Sequence, residues 1–195
     1  MADGFAFEVG ARLDGALGRT GVIHTPHGDI RTPAFVAVGT KATVKSVLPE
    51  SVAELGAQAV LANAYHLYLQ PGSDIVDAAG GLGAFMNWPG PTFTDSGGFQ
   101  VMSLGAGFKK VLAMDTAGLA DDDVIAPGKE RLAHVDDDGV TFRSHLNGDL
   151  LRFTPEVSMR IQHELGADIM FAFDELTTLM NTRGYQEASV ERTHA

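Results

Sequence analysis

Apolar positions along this 195-residue chain fall in short runs whose period changes from segment to segment. PAFVAVGT, Pro33 to Thr40, is a continuous apolar run closed by Gly39, the pattern of a strand buried on both faces. In KATVKSVLPESVAELGA the pattern turns helical: Pro49 suits a first turn, Val52 and Leu55 give apolar spacing, and Gly56 suits the stop. TPEVSMRIQHELG predicts a well-marked helix with Thr154 as N-cap, Pro155 in the first turn, and Val157, Ile161 and Leu165 on one face. There is also a faint internal echo. Glu54-Leu55-Gly56-Ala57 leads into QAVLANAY as Glu164-Leu165-Gly166-Ala167 leads into DIMFAFDE, each after a Pro-Glu pair that opens a helix.

Repeated helix, glycine stop and buried strand are the signature of an α/β barrel or a doubly wound sheet. Three predicted strand tips, near Asn63, Asp95 and Asp174, then carry polar groups on the face where such folds bind ligands. Residues 5–31 hold β-like runs, FAFEV and GVIHT, and HTPHGDI makes a turn and a return strand; the N-terminal hairpin over 1–31 reads as a lid on the closed end. Tyr65 and His66 in NAYHLYL read as the start of a loop after the second strand, with His66 either a buried, hydrogen-bonded imidazole or a catalytic group. DIVDAA is helix-like and is followed by glycines and Trp88, a core residue or an anchor for a partner subunit. From Gly105 to Asp138 the pattern dissolves into an acid-rich surface excursion. GVTFRSHLNGDLLRF then reads as a hairpin with Asn147-Gly148 as the turn signal.

Composition places the chain among ordinary globular sequences of about one domain's length, 45% apolar and 20% charged. No apolar run approaches the ~20 residues of a membrane span. MADGFAFEVGARLDG lacks a basic segment followed by an apolar one, which argues against a secretory signal, and the absence of Cys fits a reducing cytoplasm. The net charge of −11 sets a problem for nucleic-acid binding, because a protein that grips phosphates normally shows a basic face. Lys41 and Lys45, in the loop after the first buried strand, read as exposed lysines or as a phosphate contact. His24 and His27 flank a proline turn and read as surface residues or as metal ligands lacking a third partner.

The chemistry concentrates in PTFTDSGGFQVMSL, Pro91 to Leu104. Thr92 to Thr94 ends a short β-rich run, Asp95 is a carboxylate at its tip, and Ser96-Gly97-Gly98 is a turn too small to cover it. The glycines let a ligand approach the main chain, and Phe99 offers a flat apolar face on which a ring can stack. An Asp before Ser-Gly-Gly is also an ordinary turn former. The same four residues echo the nucleophile segment of chymotrypsin-like serine proteases, but Thr94 and Phe99 replace that family's Gly and Pro, and the chain has no disulfide.

The full fourteen-residue run, with NAYHLYLQPG at Asn63 to Gly72 and DIMFAFDELTT at Asp168 to Thr178, resembles the tRNA-guanine transglycosylases, or queuine tRNA-ribosyltransferases, of bacterial type. The resemblance runs from about Arg12 to the last residue. It implies a TIM (β/α)8 barrel, of which this chain supplies the N-terminal hairpin and about the first four βα units, as one incomplete domain. It also implies exchange of the anticodon wobble guanine (position 34) of tRNA for a 7-deazaguanine, preQ1 or queuine, by double displacement through a covalent enzyme–RNA intermediate. Asp95 matches the family's general acid/base, Phe99 carries the base with Ser96, Gly97 and Gly98 lining it, and Asp174 matches the aspartate that reads the polar edge of the base. The target nucleotide is splayed out of the anticodon loop.

Two departures qualify the match. Leu176 stands where many bacterial members have a small polar or sulfur-bearing residue, which bears on the choice of incoming base. The family's covalent nucleophile, a glycine-rich base-binding turn, and a structural zinc site of three Cys and one His all lie further along than Ala195, so the chain supplies no metal ligands. The expectation is an N-terminal portion of a longer cytoplasmic enzyme, inactive alone, homodimeric when complete, whose missing half supplies the basic RNA surface. The alternative is a non-catalytic accessory paralogue that docks on a complete subunit.

Overall fold

Strand pairing divides the described residues among three sheets, of three, four and three strands. The computed structural model describes residues 4–100, 133–175, 177 and 181–194. They form two compact units, one within Met1–Asp95 and Arg160–Phe171, the other within Ser96–Met159 and Ala172–Ala195.

The first unit opens on an antiparallel meander of β1 (Ala6–Arg12), β2 (Arg19–Thr25) and β3 (Gly28–Thr32). The expected hairpin is thus three-stranded and runs to Thr32. The Thr25 hydroxyl donates to the Gly28 carbonyl at 2.8 Å and accepts from the His27 amide at 3.2 Å, so one side chain closes the Pro26-His27 turn. The second sheet contains β4 (Val36–Val38), β5 (Ala59–Ala62), β6 (Thr92–Thr94) and β10 (Ile169–Met170), all parallel and in chain order across the sheet. Ile30 of β3 packs on Ala59 and Phe93, flanked by Ile23, Val36, Leu61 and Ile169. Val36, Ala59 and Ile169 are the first residues of their strands, so the meander covers the N-terminal ends of the parallel sheet, while Asn63 and Asp95 follow directly on the opposite ends of β5 and β6.

Asp168 fastens that covered end. Its side chain is only 1% exposed; it accepts from the Thr92 amide at 2.8 Å and pairs with Nδ1 of His27 at 2.7 Å. His24 pairs instead with Asp29 at 2.7 Å. Each of the two histidines proposed as a metal ligand therefore answers a carboxylate, and among the described residues no group of three His or acidic side chains converges as a metal would require.

Helix α1 (Pro49–Glu54) starts on Pro49 and stops as expected: Gly56 has φ +91°, its amide donates to the Ala53 carbonyl, and the Ala57 amide donates to that of Val52. Those two bonds are a Schellman closure, which needs a residue that tolerates positive φ. The run Pro33–Thr40, expected to be a doubly buried strand, is regular only over Val36–Val38, and Phe35 and Val38 are exposed at 82% and 55%. The reason is position: among the described residues β4 lies at the edge of the sheet, paired with β5 alone. NAYHLYL, expected to begin a loop, forms α2 (Ala64–Leu69), whose Ala64, Tyr65 and Leu67 are buried. Helix α3 (Ser73–Ala78) matches the helix-like DIVDAA, and the glycine-rich segment after it forms a further short helix, α4 (Gly81–Phe85), despite its poor propensity. Burial of Leu82 and Met86 explains that override. Trp88 is core, with its indole N–H donating to the Pro91 carbonyl at 3.1 Å. Lys41 and Lys45 are exposed.

In the second unit β7 (Ala133–Asp136), β8 (Gly139–Arg143) and β9 (Leu150–Phe153) form an antiparallel sheet. The stretch read as irregular to Asp138 thus ends in a strand, because Asp137 and Asp138 form a tight turn that pairs Asp136 with Gly139. Residues 105–132 of that stretch lie outside the described residues. The guanidinium of Arg152 holds Asp136 through two bonds of 2.8 Å, and Phe142 meets Phe153 edge to face at 5.2 Å. Asn147-Gly148 lies in the β8–β9 connection as expected, but within a longer loop closed by the Ser144 amide on the Asp149 carbonyl. Helix α5 (Pro155–Leu165) is capped by Thr154, whose hydroxyl accepts from the Val157 amide at 3.3 Å. Helix α6 (Arg183–His194) begins after Thr182, which plays the same part for Tyr185. Among the described residues no helix is long and apolar enough to cross a membrane.

Candidate active site

Strand β6 is buried along its whole length, and Asp95 follows at its C-terminal tip. The Asp95 amide pairs with the Ala62 carbonyl of β5 at 3.4 Å, which continues the parallel ladder by one residue. Its carboxylate is gripped from the tip of that neighbour: Oδ1 accepts from the Ala64 amide at 2.8 Å, and Oδ2 accepts from the side-chain amide of Asn63. Asn63 is itself buried. The two donors, on separate oxygens, set the plane of the carboxylate at the strand tip.

The strand tip rests on a buried polar residue of α5. Gln162 of α5 is fully buried; its carbonyl oxygen accepts from the Thr94 hydroxyl at 2.9 Å and its amide donates to the Phe171 carbonyl at 3.0 Å. One side chain thereby ties the end of β6 to the end of β10. A signal for it exists: Ser158, Ile161, Gln162 and Leu165 follow the i, i+3, i+4, i+7 spacing of one helix face, and all four are fully buried. Polar residues on such a face must find partners.

In the second unit, Ser96, Gly97 and Gly98 are buried and Phe99 is about half exposed. The Ser96 hydroxyl donates to the Asp174 carboxylate at 3.1 Å and accepts from the Gly98 amide at 3.3 Å, while the Ser158 hydroxyl donates to the Ser96 carbonyl at 2.7 Å. Gly97 adopts φ +82°. At Gly98 the missing side chain serves the protein's own packing: a Cβ there would lie 2.8 Å from the Asp174 carbonyl oxygen. The glycine expected to open the main chain to a ligand instead admits the backbone of Asp174. Asp174 remains exposed. Leu176 and the end of the motif from Val101 lie outside the described residues.

Between them the units carry a buttressed acid at a strand tip and a serine–glycine turn bonded to a second acid. The model of the family described as Queuine tRNA-ribosyltransferase matches residues 14–195. The chain belongs to the queuine tRNA-ribosyltransferase family. A queuine tRNA-ribosyltransferase of Gloeobacter violaceus is 48% identical over 193 residues, which is 99% of this chain and 44% of that protein. One of Lysinibacillus sphaericus is 48% identical over 175 residues, 90% of this chain and 39% of the relative, and one of Staphylococcus aureus is 46% identical over 90% of this chain and 40% of its own length. The chain thus spans about two fifths of the length of the queuine tRNA-ribosyltransferases it matches.

Proposed function

We propose that the complete protein carrying this segment exchanges the wobble guanine of a tRNA for a 7-deazaguanine, and that these 195 residues supply the acid/base group and part of the base pocket. The observation that carries the reading is Asp95, a carboxylate at the tip of a buried parallel strand, fixed by Asn63 and Ala64 and followed directly by the Ser96-Gly97-Gly98 turn. Its support is chemical. Exchange at the ribose C1′ with retention takes two displacements: a carboxylate nucleophile forms a bond to C1′ as the bond to guanine breaks, and the incoming base then displaces that carboxylate. Guanine takes up a proton on leaving, and the incoming base gives one up from the nitrogen that bonds C1′. Asp95 is the group assigned to both transfers, since a fixed carboxyl within reach of the heterocycle can donate and then accept.

Ser96, Gly97, Gly98 and Phe99 are the proposed floor of the base site, and Asp174 the reader of the base's N–H edge. A carboxylate suits that edge because it accepts two hydrogen bonds. The parallel sheet β4-β5-β6-β10, in chain order, is in this reading the first half of a (β/α)8 barrel, with the site at the C-terminal rim. The structural zinc implied by the resemblance does not fit these residues: its thiolate ligands have no counterpart in a stretch without Cys, and no step is assigned to it. The covalent nucleophile, by the same resemblance, lies beyond residue 195.

Incubation of the complete protein with tRNA and labelled guanine tests the reading; label should enter the tRNA. The 195-residue chain alone should not exchange, and label incorporation by it would refute the division of the site.

A further inference from the structure

Glu175 follows Asp174, and both its main chain and its side chain end on one helix. Its side chain is 9% exposed although it carries a charge. One carboxylate oxygen accepts from the Tyr185 hydroxyl at 2.5 Å, and the other pairs with the guanidinium of Arg192. The Glu175 amide donates to the Thr193 hydroxyl at 3.2 Å, and its carbonyl accepts from the Ser189 hydroxyl at 3.1 Å. Residues 185, 189 and 192 follow the i, i+4, i+7 row of α6, so one face of a rigid rod holds every polar group of one residue. Arg192 also reaches Asp137, at 3.5 Å, and so joins the rod to the β7–β8 turn.

A mostly buried ion pair of this kind is a poor device for stability, since desolvation offsets most of the Coulomb attraction; its better-attested use is to specify one geometry. Geometry is what the neighbouring residue needs. Asp174 is exposed, and reading two N–H groups on the edge of a heterocycle requires its carboxylate plane to be held in place before the base arrives.

We infer that Glu175 is the positioning residue for Asp174: bonded at both oxygens, its amide and its carbonyl to α6, it fixes the main chain from which Asp174 reads the base. The inference rests on the proposed base exchange. It makes α6 a determinant of base affinity and selectivity.

The test uses the complete protein, with exchange of labelled guanine and of labelled hypoxanthine, which lacks the 2-amino group, and with the thermal midpoint followed in parallel. Glu175→Gln and Arg192→Gln should each raise KM for guanine about tenfold with a much smaller change in kcat, and should reduce the preference for guanine over hypoxanthine by a similar factor. Because the two side chains act as one unit, the double variant should be little worse than either single one. Tyr185→Phe removes a single bond and should move KM and preference in the same direction by a few-fold, which keeps the test open if Glu175→Gln does not fold. A lowered melting point with KM and base preference unchanged would make the cluster merely structural and overturn the inference. Lack of exchange by the wild type would overturn the proposed function and this inference with it; exchange by the wild type that the variants leave unaltered would overturn this inference alone.

Discussion

Asn63 and Asp95 stand 32 positions apart in the chain, and the side-chain amide of the first donates to the carboxylate of the second. The contact exists because β5 and β6 are parallel neighbours whose ends are level, with Ala62 opposite Thr94. Removing it should therefore act on the acid and leave the strands in place. Asn63→Ala should lower kcat/KM for guanine exchange on the order of 10- to 100-fold, the worth of about 1.5–3 kcal/mol for a hydrogen bond to a charged group. Asp95→Asn should abolish exchange. Both are read in the labelled-guanine assay, and full activity of the Asp95 variant would remove it from the acid/base role.

Gly98 and Gly184 make opposite predictions for the same substitution. Gly98→Ala drives a methyl group to 2.8 Å from the Asp174 carbonyl oxygen, so the turn or the Asp174 segment must shift. It should cost about 1–3 kcal/mol of stability and weaken base binding. Gly184 lies in α6 with nothing within 4 Å of an added Cβ. Gly184→Ala should stabilise by about 0.4–1 kcal/mol, as a compatible helical site does. Urea unfolding of the two variants checks the contrast.

Gln162→Leu leaves the buried Thr94 hydroxyl without its acceptor, at about 1–3 kcal/mol, and takes one donor from the part-buried Phe171 carbonyl. The variant should lose stability on that scale. Adding Thr94→Val removes the stranded hydroxyl and should recover part of the loss, a coupling that a double-mutant cycle measures directly.

Two ion pairs give pH dependences of opposite sign. The Arg152 guanidinium beside Asp136 holds its carboxyl down to about 2, below the usual 3.8. Folding therefore favours the ionised form; its contribution is complete above about 3.8 and fades as pH falls toward about 2. Asp29 beside His24 raises the imidazole above its usual 6.5. Here folding favours the protonated form, so the contribution is complete below 6.5 and is lost as pH rises through the raised value. Arg152→Gln should flatten the acid limb of the unfolding midpoint against pH, and Asp29→Asn should flatten the limb above 6.5.

The chain's own pattern determined its local structure and the residue types at the site. Pro49 and Gly56 mark the two ends of α1, Thr154 caps α5, and the Thr92–Thr94 run puts Asp95 at a strand tip, because caps, turns and alternation act over a few residues. Packing decided the rest. It left Val36–Val38 on an edge with Phe35 exposed, made helices of NAYHLYL and the glycine-rich 81–85 segment, gave Gly98's empty space to the Asp174 backbone, and joined Gln162, Asp168 and Glu175 to partners that no periodicity points to. His27 and Asp168 meet across 141 positions, and Thr94 and Gln162 across 68. A sequence pattern records which face of an element is buried, but the identity of the group waiting there is set only when separate elements pack together.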